Sequence, residues 1–164
     1  MAEQLTLDLG LKTFEILDID GNVAGTIRFN PADPGFVGRW KQAEEKIQSY
    51  QQKITDLAAA GTPEIDQWPV LMEASDAVKQ ALDYAFASPV SAVLFGGNSA
   101  FALTDSGGMV LENVMEGLAP VMEKAIKDAA GKVQQRMQSH TAPYQGTTKG
   151  LAPGQPARPD EAAQ

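Results

Sequence analysis

Asp18-Ile19-Asp20-Gly21-Asn22 is the stretch of this chain most suggestive of ligand chemistry. Two aspartates flanking one residue, then glycine and asparagine, open the EF-hand calcium loop, because a hard cation needs several oxygens on one tight turn. That pattern also demands glycine at loop position six and glutamate at position twelve. Counted from Asp18, those places hold Val23 and Phe29, and Val23 to Phe29 reads as strand. The residues therefore predict a hairpin turn and no metal site. Phe95-Gly96-Gly97-Asn98 could cradle a phosphate, but it lacks a Walker lysine, a GxGxxG pattern and a surrounding βαβ pattern, and so reads as a turn. Asp105-Ser106-Gly107-Gly108 reads the same way, with the aspartate or serine as a helix cap.

The single histidine, His140, lies at the edge of a Pro/Gly/Ala-rich end, without a scaffold to orient it in a triad or a metal site. Asp18 with Asp20, and Glu44 with Glu45, are paired carboxylates, but a turn and a polar helix face account for them. No nucleophile, base and orienting group are visible together. The expectation is a non-enzymatic protein with no catalytic residues, no cofactor and no metal.

What remains is recognition. Phe36, Trp40, Ala43, Ile47, Tyr50, Ile54 and Leu57 follow a 4-3 spacing that places them on one stripe of a helix about 33 Å long. Lys, Glu and Gln fill the intervening positions. The stripe lacks the repeated leucines of a parallel coiled-coil seam. Its first residues, Phe36 and Trp40, sit just after a hairpin that needs covering, and are expected in the core. The later part extends past the hairpin's reach. It must face Leu71 to Phe86, the last helix or another protein, which makes Ile47, Tyr50, Ile54 and Leu57 the candidate partner-binding residues.

Composition narrows the partner. The 164 residues carry a net charge of −8 and no cluster of Lys and Arg, which argues against nucleic acid. Absence of cysteine excludes disulfides and thiolate metal sites and fits a cytoplasmic setting. The first ten residues lack the basic and apolar regions of a signal peptide, and no run approaches the ~20 apolar residues of a membrane span. The expected partner is a protein, with neither nucleic acid nor membrane involved. Self-association is compatible with this reading.

The elements follow from local pattern. Leu5, Leu7 and Leu9 alternate with polar neighbours, and Thr13 to Ile19 and Val23 to Phe29 flank the Asp-Gly turn, so strands within residues 4–29 form a hairpin or three-strand meander. Val23, Ile27 and Phe29 share one face, with Gly25 in the same row, across from Phe14 and Ile16. Asp33 caps a helix with Pro34 at its first position, and Gly61-Thr62-Pro63 ends it, giving a helix over about 34–60. A second helix covers about 65–86 up to Ser88-Pro89, and Val90 to Leu94 makes a turn or two more. Phe101 and Leu103 are apolar anchors. A last helix spans about 109–137, with Leu111, Met115, Leu118, Met122, Ile126, Ala129, Val133 and Met137 on one face and a kink or break at Pro120. Residues 139–164 are too poor in large apolar side chains to offset their ordering entropy and read as a disordered tail. The fold class is α+β: one domain over 1–138, with an antiparallel hairpin or meander packed on three to four helices.

Phe14-Glu15-Ile16, Asp20-Gly21-Asn22, the run Ile27 to Asp33, Phe36-Val37-Gly38-Arg39, Leu94 to Asn98 with Phe101, and Leu118-Ala119-Pro120-Val121 together resemble tail assembly chaperones of long-tailed bacteriophages. The resemblance spans about residues 12–125 and rests on turns and apolar anchors. It implies a largely helical, non-enzymatic protein of the host cell cytoplasm that binds the tape-measure or tail-tube protein before assembly. Such a gene precedes the tape-measure gene and often yields a longer frameshifted product. The end from Tyr144 to Gln164 departs from the family pattern. Two other classes fit the same sequence. One is a structural tail-completion or connector protein of the virion, and the other is a small host-directed phage inhibitor.

Overall fold

The computed structural model describes the backbone of residues 2–147 and the side chains of residues 2–139. The side chain of His140 and the expected tail beyond Thr147 therefore lie outside the described residues. The fold is α+β, with one two-stranded antiparallel sheet followed by four helices. Among the described residues, no helix is long and apolar enough to cross a membrane.

Strands β1 (Lys12–Leu17) and β2 (Val23–Phe29) pair with Phe14 opposite Ile27 and Ile16 opposite Gly25. The turn between them is closed by Asp18 and Asn22. The Asp18 N–H donates to the Asn22 carbonyl at 2.8 Å, and the Gly21 N–H donates to the Asp18 carbonyl at 3.0 Å. Gly21 stands at φ +86°, the left-handed value that this hairpin loop requires and that glycine adopts without strain. Ala24 is an extra residue in the ladder, since Ile16 opposes Gly25 while Leu17 opposes Val23. That bulge turns Val23 out to solvent, while Ile27 and Phe29 stay buried.

Among the described residues, a third strand does not form. Residues 2–11 join no sheet, and Leu5, Leu7 and Leu9 are exposed. Alternation supplies a face but not a neighbouring edge. Here the Asn30 side-chain amide holds the Leu9 carbonyl at 3.0 Å and draws the segment to the far end of β2.

Helix α1 (Pro34–Ala59) starts as its sequence predicts, with the Asp33 carboxylate accepting the Gly35 N–H at 2.9 Å and Pro34 in the first turn. Helix α2 (Glu64–Phe86) ends at Ala87, which takes φ +52° although it is not glycine. The strain is offset by two bonds, Ala87 N–H to the Tyr84 carbonyl and Ser88 N–H to the Asp83 carbonyl, which satisfy the last carbonyls of the helix. The Asp83 carboxylate then takes the Ser91 N–H and hydroxyl at 2.8 and 2.9 Å, fixing α3 (Ser91–Phe95) at the end of α2.

Residues 96–109 fold back onto α2. The hydroxyl of Ser75, a buried polar group, accepts the Ala100 N–H at 2.9 Å. The Ala100 and Ala102 carbonyls in turn accept the Leu111 and Val110 N–H groups at 2.8 Å each, so the start of α4 (Val110–Thr147) is capped by this loop. Glu112 reaches back to the Met109 N–H at 3.0 Å. The expected capping role of Asp105 or Ser106 thus falls to Glu112 and two carbonyls. Leu103, expected as an anchor, bridges Met109 on the strand side and points to solvent.

The chain divides into two compact units, Met1–Ile126 and Lys127–Gln164. The first holds the core, in which Ile27, Phe29, Phe36, Trp40, Ile47, Val78, Leu82, Phe86, Phe95, Leu111, Leu118 and Met122 are buried together. Its centre is aromatic. Phe36 stacks near Phe29 at 4.7 Å between ring centroids, and Phe86 lies against Phe29, Phe36 and Trp40 at 5.2, 5.4 and 5.9 Å. Phe36 and Trp40 are thus core residues beside the hairpin, as their position in the sequence implies.

In the second unit, the described residues 127–147 are all helix. Helix therefore extends through residues 139–147, where a disordered tail was expected. Val133 and Met137, expected on an apolar face, are exposed. Pro120 does not break α4, because it lies on the exposed side, where water can take the Glu116 carbonyl that it orphans.

Candidate protein-binding surface

Helices α1 and α2 form an antiparallel hairpin joined by residues 60–63, with Gly61 at φ +70°. Two side-chain links set their register. Arg39 donates from Nε to the Ala85 carbonyl at 3.2 Å while pairing with Asp33 at 3.7 Å, and the Tyr84 hydroxyl lies 3.2 Å from Gln42. Carried along two antiparallel helices, this register sets Leu57 level with Trp68 and Ile54 level with Leu71.

The four expected binding residues divide along this hairpin. Ile47 is 1% exposed and belongs to the core, so it is unavailable to a partner. The covering element is α2, which packs along the stripe. Tyr50 is half-buried against the core, with Lys53 over its ring at 5.9 Å. Ile54 and Leu57 are half-buried at the free end of the hairpin. Only these last three retain surface.

At the same level of α2 lie residues that the stripe did not point to. Ile65, Trp68 and Met72 are 67%, 56% and 69% exposed. Their i, i+3, i+7 spacing puts them on one face of α2. At ~100° per residue, that face is rotated by about 80–140° from Val78, the centre of the buried side. Pro69 follows Trp68 and removes the hydrogen bond that would return to the Ile65 carbonyl. The signal was present in the sequence as an apolar triplet out of phase with Leu71, Ala74, Val78 and Leu82. It was masked because one helix was expected to carry one apolar face.

Asp56, Glu64, Asp66, Glu73 and Asp76 are exposed on the same stretches of α1 and α2, as is Lys53. An exposed apolar cluster with a Trp among charged side chains has the composition of a protein interface.

Other candidate chemistry is accounted for locally. Asp18 spends its carboxylate on the turn, accepting the Asp20 and Asn22 N–H groups at 2.9 Å each. The backbone hydrogen bond from Asn22 is the main cause holding this carboxyl below the usual aspartate range. Gly96 and Gly97 both take positive φ and make the turn after α3. Among the described residues, no three His, Cys, Asp or Glu side chains converge on a point where a metal ion could sit.

No family model, no curated protein and no solved structure matches this chain.

Proposed function

We propose that this protein is a tail assembly chaperone or tail morphogenesis factor of a long-tailed bacteriophage. In this reading it binds the tape-measure or tail-tube protein in the host cytoplasm and keeps it soluble until assembly. The observation that carries the reading is the exposed Ile65–Trp68–Met72 face at the free end of the α1–α2 hairpin, at the level of the half-buried Ile54 and Leu57. The resemblance of residues 12–125 to that family supplies the identity of the partner.

Recognition would follow from the chemistry of the patch. An amphipathic helix of the partner lays apolar residues at i, i+3 and i+4 against Trp68 and Met72. Lysines flanking that helix meet the exposed carboxylates of α1 and α2. The net charge of −8 then keeps the complex dispersed. A client held this way is released without chemistry when subunits of the growing tail compete for the same apolar face.

Co-expression with the tape-measure protein, followed by pull-down and measurement of its soluble fraction, tests the proposal. The expected result is co-purification and a larger soluble fraction, both lost in Trp68→Ser. Absence of both co-purification and a solubility gain with the unaltered chain overturns it. Mass spectrometry of purified virions separates a chaperone, which is absent, from a structural tail component, which is retained.

A further inference from the structure

The N-terminal arm and the outer edge of β1 are each incomplete. In the arm, Leu5, Leu7, Leu9 and Leu11 alternate with polar residues and are 80%, 64%, 60% and 43% exposed. That is the pattern of a strand with one face to bury, yet residues 2–11 join no sheet. Among the described residues, β1 forms backbone ladder bonds only with β2, so its other edge is open.

Beside that open edge runs a groove of about 380 Å³. Four consecutive β1 residues, 14–17, line it. Consecutive residues point to opposite faces of a strand, so the groove reaches the backbone edge, and it extends onto the inner face, where Ile27 of β2 and Leu94 of α3 also line it. Its far wall is one face of α4, where Val114, Leu118 and Val121 are apolar and Gly117 leaves a gap. A Cβ built on Gly117 would meet no atom within 4 Å.

The arm does not lie in its own groove in this structure. Leu9 is tied to Asn30 beyond the end of β2, and only Gly10 and Leu11 separate it from Lys12, the first residue of β1. Gly10, at φ +68°, is packed against the Asn30 side chain, where a Cβ would come within 2.8 Å. The arm therefore leaves its domain on the side away from β1's open edge.

We propose that the groove between β1 and α4 receives residues Gln4–Leu9 of a second copy of this chain as a third strand. The six residues extend about 20 Å, matching the length of β1 at ~3.3 Å per residue. Their leucines would face Val114, Leu118 and Val121, while Gln4, Thr6 and Asp8 face water. Backbone groups of the open edge gain partners, and a two-stranded sheet gains the strand that makes such sheets independently stable. The exchange buries the exposed leucines of the arm along the groove in a single contact. It is separate from the Trp68 surface and does not depend on what binds there.

Light scattering coupled to gel filtration, over a dilution series of the full chain, reads the mass against the 17.5 kDa monomer. The unaltered chain should show a whole multiple of that mass. Leu5→Asp/Leu7→Asp disables the arm, and Gly117→Glu puts a charge in the groove at a position open to a side chain and favourable to helix. Each variant should run as a folded monomer by circular dichroism. Mixing the two should restore association, because one supplies an intact groove and the other an intact arm. A monomeric unaltered chain, variants that associate as the unaltered chain does, or a mixture that stays monomeric each overturns the proposal.

Discussion

Gly25 is the position where a single methyl group should be felt most sharply. It lies in β2 opposite Ile16, and a Cβ placed there would stand 2.7 and 2.9 Å from the two γ-methyls of Val93 and 3.4 Å from its Cβ. Because both methyls are in the way, rotating Val93 does not clear the space. Gly25 is not among the glycines at positive φ, so the constraint is room and not backbone conformation. Overpacking of this kind costs about 1–3 kcal/mol. Alanine recovers roughly 0.4–1 kcal/mol of that by narrowing the unfolded ensemble. Gly25→Ala should therefore lower stability by about 1–2 kcal/mol, a fall in Tm of about 2–8 °C for a chain of this size. Val93→Ala alone removes two half-buried methyl-sized groups and should cost about 1 kcal/mol. The double variant has no clash, so it should be no less stable than Val93→Ala. Urea unfolding of the four proteins gives the coupling, expected at about 1–2 kcal/mol. If the two changes instead add to within about 0.5 kcal/mol, the packing of α3 on β2 described above is wrong.

Three further outcomes follow from single groups. Ser75→Ala strands the buried Ala100 N–H and should cost about 1–3 kcal/mol in chemical denaturation, and a neutral result would mean that the 96–109 loop is not held there. Trp68→Ser should leave stability within about 0.5 kcal/mol, since the ring is exposed, while weakening partner capture at least tenfold, on the order expected of a hot spot. Equal loss of folding and binding would remove Trp68 from the surface. The Asp18 carboxyl is lowered in the folded state, chiefly by the Asn22 backbone N–H. Its contribution is present above the ordinary aspartate value and is lost as the pH falls through the lowered folded value. A carboxyl NMR titration should place its midpoint below the usual aspartate range, and a midpoint at or above that range would contradict the turn geometry.

Much of the fold was legible because it is dictated locally. The Asp-Gly turn, the Asp33-Pro34 helix start and the Gly61 stop depend on backbone dihedrals and short-range hydrogen bonds that neighbouring residues supply. Non-local pairing was less legible. Leu5, Leu7 and Leu9 have the period of a strand, but whether an edge is within reach depends on where Asn30 pulls the chain. Leu103 and Val23 look like anchors until a bridge and a bulge turn them outward. The candidate surface was half legible. Ile54 and Leu57 kept their place near it, Ile47 was lost to the core, and Trp68 with its neighbours emerged only once the packed side of α2 was known.

The sequence by itself determined which segments are helix and strand across most of the chain, and that the core would centre on Phe36 and Trp40 beside the hairpin. Those properties depend on spacing and composition, which are complete in one dimension. Only the tertiary structure decided which faces are left over. A residue's exposure is set by what packs on it, and α2 packs on the stripe of α1 while turning Ile65, Trp68 and Met72 away. The same holds for the open edge of β1 and its groove along α4, which no strand among the described residues covers.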